Sequence, residues 1–140
     1  MKQRVIGLVL AFAFGIFLAL YSFDRISDPE PAMQRAREEA VVLAARQILK
    51  TYIAGGNEIE IVDPLATKRA VGKAYIYPTD GGWEVSGHYR RNSADDWHPF
   101  LMALDTNMAL ASLSVRDDDE GLGTAAKSDP RLSVTIRRRP

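Results

Sequence analysis

VGKAYIYPTDGGWEVSGHYRR, residues Val71–Arg91, decides the fold. Two alternating runs, Val71 to Tyr77 and Trp83 to Arg91, flank the turn-forming stretch Pro78-Thr79-Asp80-Gly81-Gly82. A two-residue type I′ turn at Asp80-Gly81 sets Ile76 opposite Val85, Ala74 opposite Gly87 and Gly72 opposite Tyr89. Pro78 then faces Trp83 in a non-hydrogen-bonded pair, where its missing donor does no harm. One face becomes Gly72, Ala74, Ile76, Trp83, Val85, Gly87 and Tyr89. The other carries Lys73, Tyr75, Tyr77, Glu84, Ser86, His88 and Arg90. A one-residue slip would mix the two sets, so the separation selects this register. The small side chains of the first face leave room for a helix to lie close.

A second hairpin follows. Pairing around Thr106-Asn107 sets Leu104 against Ala109, Met102 against Ala111 and Phe100 against Leu113, with Val115 continuing the inward row. Its opposite face includes Leu101, Met108 and Leu110 and is less polar than a solvent face should be. These three, with Trp97 in the preceding loop, are candidate contact residues for a partner. Cover by the chain's own tail is the competing explanation.

Upstream, Glu58-Ile59-Glu60-Ile61 alternates as a short strand ended by Asp63-Pro64. Before it, Ala32 to about Ile53 contains good helix formers without internal Gly or Pro. At 100° per residue Met33, Ala40, Val41, Ala44, Ile48 and Tyr52 share a face widened by Val42 and Leu49, while Arg35, Glu39, Arg46 and Lys50 lie opposite. Such a helix requires a sheet to cover it.

The whole reads as an α+β domain over residues 32–116: one amphipathic helix packed on a four- to five-stranded antiparallel meander. Residues 117–130, rich in acidic, Gly and Ser residues, read as a flexible acidic linker. Residues 131–140 read as a strand-like segment and a basic tail. The element order resembles cystatin-like and NTF2-like architectures and the membrane-tethered domains of assembly factors. That resemblance covers Ala32 to Val115 and carries over no functional residue.

Val5 to Phe23 is an apolar run of roughly 28 Å as a helix, close to the thickness of a bilayer's hydrocarbon core. Lys2 and Arg4 precede it, and Asp24, Arg25, Asp28 and Glu30 follow. The positive-inside rule puts residues 1–4 in the cytoplasm, 5–23 across the inner membrane, and the domain, beyond a stiff linker at 24–31, in the periplasm. A cleaved secretory signal is the alternative, but Ala19-Leu20-Tyr21 and Leu20-Tyr21-Ser22 make poor cleavage sites. Gly7, Ala11, Gly15 and Ala19 recur every four residues and form a groove of small side chains, a candidate contact with another transmembrane helix or with itself.

Eighteen Lys and Arg offset eighteen Asp and Glu, so no global field attracts nucleic acid. The absence of cysteine removes disulfides, thiolate metal sites and a cysteine nucleophile. Asp117-Asp118-Asp119-Glu120-Gly121 does not match an EF-hand, and Asp95-Asp96-Trp97-His98 reads as a turn with an exposed indole. With no G-x-S-x-G and no phosphate-cradling loop, neither an enzyme nor a cofactor or metal site is expected. The expectation is a non-enzymatic accessory, assembly or interaction component of the envelope. The alternatives are a ligand-binding or enzymatic domain with a pocket between helix and sheet, and a cleaved periplasmic protein.

Overall fold

The computed structural model describes residues 13–19, 30–54, 57–67 and 71–136. Its elements are α1 (Glu30–Ala54), β1 (Glu60–Val62), β2 (Tyr75–Thr79), β3 (Gly82–Arg90), β4 (His98–Asp105), β5 (Leu110–Arg116), α2 (Glu120–Ser128) and β6 (Leu132–Thr135). The chain divides into two units, 1–36 and 37–140, of which the second holds the sheet.

The fold class is α+β, with a sheet that differs from the expected meander. Six strands take the order β1-β3-β4-β5-β6, and β2 also pairs with β3. All pairs are antiparallel except β5–β6, which is parallel because α2 returns the chain to the same end. β1 and β2 abut along one edge of β3. The hairpin register agrees with the sequence reading where β2 exists, with Ile76 on Val85 and Pro78 on Trp83. It stops at Tyr75, and Ile61 of β1, not Gly72, lies opposite Tyr89. Gly72 instead has φ 55°, and a Cβ there would meet the His88 ring, so the residues leading into β2 lie against that ring on the outer face. The turn is not type I′: the positive φ falls on Gly82 (146°) rather than on Asp80 or Gly81.

The inner face carries the core. Val41, Ala45 and Leu49 of α1 pack with Val85 and Tyr89 of β3, Phe100, Met102 and Leu104 of β4, Leu113 and Val115 of β5, Leu122 of α2 and Leu132 of β6. Fully burying each such large aliphatic side chain contributes about 1.5–3 kcal/mol. Met33, expected on the apolar helix face, is exposed. Gly87 does not make room for the helix: a Cβ there would lie 2.3 Å from the Val62 carbonyl oxygen and 3.1 Å from the Phe100 ring.

The second hairpin shifts register by two residues. Phe100 pairs with Val115 and Met102 with Leu113, and a bulge at Ala103/Leu104 leaves Leu104 opposite Leu110. The Asp105 carboxylate organises the turn, accepting from the Asn107 and Ala109 amides at 2.8 and 3.0 Å, with Met108 at φ 61°. The extra residue at the bulge reverses the facing of what precedes it. Met108 and Leu110 therefore pack against the core.

The segment 117–130 is not a flexible linker. Asp119 caps α2 by accepting the Leu122 amide at 2.9 Å, Leu122 is buried in the core, and the Asp129 amide closes the last turn on the Ala125 carbonyl. Gly121 and Gly123 each cost about 1 kcal/mol of helix propensity against Ala, a deficit that cap and burial override.

Most of the Val5–Phe23 run, with Gly7 and Ala11, lies outside the described residues. Residues 13–19 are helical and exposed, including Gly15, Ala19, Phe14 and Phe17. No helix among the described residues is long and apolar enough to cross a membrane.

Candidate functional site

β4 and β5 alternate, so each residue pointing into the core has a neighbour on the outer face. The registers place these outer residues in lateral rows. Tyr75 lies beside Ser86, Ser86 beside Leu101, Leu101 beside Ser114, and Ser114 beside Ser133. A second row runs Tyr77, Glu84, Ala103, Ser112. Tyr75, Tyr77 and Leu101 are 50%, 47% and 44% exposed, whereas a neighbouring inward residue such as Met102 is 0%. Between β4, β5 and β6 this face holds an open hollow of about 390 Å³, lined by Pro99, Leu101, Ser114, Arg116 and Thr135.

Of the candidate contact residues, only Leu101 stays on this face as a free apolar group. Met108 and Leu110 turn inward, and Trp97 is half-buried with the Arg90 guanidinium 4.6 Å above its ring. Among the described residues the tail does not cover this face either: β6 extends the sheet sideways and α2 packs from the core side, so neither crosses the outer face.

Beneath the hollow, on the inner side, lies a buried polar cluster. Asp117, the residue after β5, is 0% exposed and His98, the first of β4, 4%. The Asp117 carboxylate accepts from the Tyr89 hydroxyl, from Arg91 Nη2 at 2.8 Å and from the Asp119 amide at 3.1 Å. Asp95 accepts the Arg91 amide at 2.9 Å and lies 3.0 Å from His98 Nε2. His98 Nδ1 donates to the Arg116 carbonyl at 3.2 Å. Burial alone would raise the Asp117 pKa, but bonds from Arg91 and Tyr89 outweigh it and hold it below the usual carboxylate value. Asp95 behaves likewise: burial opposes the shift, and Arg91 and His98 reverse it. Burial, then the Asp117 carboxylate, pushes the Tyr89 phenol up.

Sequence reading set Asp95 and His98 in an exposed turn and Asp117 in a solvated run. The structure brings all three together. The signal was faint: Asp117 lies 28 and 26 residues from Tyr89 and Arg91, and only the inward phase of Tyr89 and Val115 pointed here.

His98, Asp117 and Asp118 offer ligand atoms within 4.8 Å of one another. Both His98 nitrogens and both Asp117 oxygens already have partners, and Arg91 supplies the counter-charge, so the arrangement suits internal neutralisation better than a cation. Its closure to solvent also argues against general acid–base work on a substrate.

At the other sheet edge, Arg46, Lys50, Ile59, Ile61, Leu65, Ala66 and Thr67 line a groove of about 430 Å³. Its cations are occupied. Arg46 makes a two-pronged pair with Asp63, one bond at 2.8 Å, and Lys50 reaches Glu58 at 3.1 Å. Asp63 is 1% exposed, so this pair locks α1 to the end of β1.

No family model, curated protein or solved structure matches the chain, and its own geometry carries the functional reading.

Proposed function

We propose that this is a single-pass inner-membrane protein, amino terminus cytoplasmic, whose periplasmic α+β domain binds another envelope protein as a non-enzymatic accessory or assembly component. The observation that carries the reading is the outer sheet face, where Tyr75 and Leu101 stand exposed about Ser86 and the described part of the tail leaves them open. Aromatic and aliphatic anchors beside small polar groups are the composition of an interface core. The Val5–Phe23 run and the Lys2, Arg4 bias support the anchor, and Gly7, Ala11, Gly15 and Ala19 provide its helix contact.

Two experiments test this. A carboxy-terminal alkaline phosphatase fusion is expected to be active and membrane-bound; a shortened soluble product overturns the anchor. A photo-crosslinking residue placed at Leu101 or Tyr75 in the full chain is expected to give one discrete adduct in cells, while the same group at exposed Lys127 gives none. Identical patterns at the three positions overturn the interface.

A further inference from the structure

Arg116 is the one outer-face strand arginine or lysine without an ion pair among the described residues. Glu84 accepts the Tyr77 hydroxyl, and Arg90 pairs with Glu60 at 2.7 Å. The Asp105 carboxylate is spent on its own turn. The side chain of Arg116 lines the hollow beside Ser114, Thr135, Leu101 and Pro99, and no acidic group among the described residues meets it. Its main chain, by contrast, is held firmly. Val115 and Asp117 on either side are buried, the carbonyl accepts from His98, and β6 pairs alongside through Thr135. The buried cluster therefore fixes the backbone from which an unpaired guanidinium projects into an open hollow.

We infer that the hollow receives a carboxylate-bearing segment of the partner protein, an Asp or Glu side chain next to an apolar one. The inference rests on the interface reading above. The guanidinium fork matches a carboxylate in two parallel bonds, the hydroxyls of Ser114 and Thr135 donate to the remaining lone pairs, and Leu101 with Pro99 takes the apolar neighbour. The bound segment itself closes the open hollow over the carboxylate, and that loss of water strengthens the pair beyond an exposed one. A basic segment would meet like charge and be rejected.

The test uses the full chain in detergent micelles and two fluorescein-labelled peptides that alternate leucine with either aspartate or lysine. Fluorescence anisotropy is expected to detect the aspartate peptide alone, with binding that weakens as salt rises. Arg116→Glu and Leu101→Ser should each weaken it by about tenfold or more, and Arg116→Glu should gain the lysine peptide. Arg116→Gln, which removes the charge without reversing it, should lose the aspartate peptide and not gain the other. Absence of aspartate-peptide binding, or equal binding by wild type and Arg116→Glu, overturns the inference. The Leu101 crosslink separates the two claims: an adduct that persists unchanged in Arg116→Glu leaves the interface standing and removes the carboxylate.

Discussion

His98 Nδ1 donates to the main-chain carbonyl of Arg116 across 3.2 Å, joining the first residue of β4 to the last of β5. The ring's other nitrogen faces the Asp95 carboxylate at 3.0 Å. With Arg91 paired to the Asp117 carboxylate, these contacts hold two segments of chain, residues 89–98 and 116–119, together under one corner of the sheet.

Removal of the Asp117 carboxylate takes from Arg91 its fully buried partner and leaves it only Asp95, at 3.5 Å. Asp117→Ala is expected to cost about 3–5 kcal/mol, and Tyr89→Phe, which removes one donor, about 1–3 kcal/mol. Urea denaturation at neutral pH measures both. An Asp117→Ala effect within the scatter of surface substitutions refutes the cluster.

Acid should act through the same groups. Asp117 and Asp95 both titrate below their ordinary value of 3.8 in the folded state. Their contribution is therefore fully present above about pH 4 and is lost as pH falls through the folded values. Wild-type stability is expected to decline below pH 4, and Asp117→Asn to lower neutral stability while flattening that decline. Thermal melts from pH 7 down to pH 2 compare the slopes, and an acid limb equally steep in the variant contradicts this.

The Arg46–Asp63 pair gives a sharper contrast. Asp63→Ala leaves the guanidinium without its buried partner and should cost about 3–5 kcal/mol, whereas the double replacement Arg46→Met with Asp63→Leu should be far milder. A double-mutant cycle read by denaturation checks the sign, and it fails if the double variant is the worse.

Gly87 lies where β1 ends against β3. Gly87→Ala would put a methyl 2.3 Å from the Val62 carbonyl oxygen, so about 1–3 kcal/mol is expected. Gly123→Ala, with open space around it, should be neutral or stabilising by a few tenths to about 1 kcal/mol. The two should differ in sign in the same melt, and similar destabilisation from both would contradict the packing.

The helix after β5 is part of the fold. Leu122→Ala is expected to cost about 2–5 kcal/mol and Asp119→Ala about 0.5–2 kcal/mol. Amide exchange should show α2 protected; exchange as fast as in an unstructured chain would restore the linker description.

Local patterns made α1, the faces of β3 and β4, the end of β5 from Leu113 to Arg116, and the Ile76–Val85 register legible from sequence alone. Each follows from a periodicity of 3.6 or 2 that a one-sided core imposes on neighbouring residues. Alternation assigns a face and not a partner, however. Phe100 opposite Leu113 and Phe100 opposite Val115 satisfy it equally, and the turn at Asp105 with the bulge at Ala103/Leu104 chose the second. Asp117 looked like one more charge in an acidic run because its partners Tyr89 and Arg91 lie 28 and 26 residues away. Likewise Gly121 and Gly123 hid a helix whose stability comes from burying Leu122 in a core built by other segments. Where the stabilising partner is distant along the chain, only the tertiary structure decides, since burial and ion pairing depend on neighbours in space.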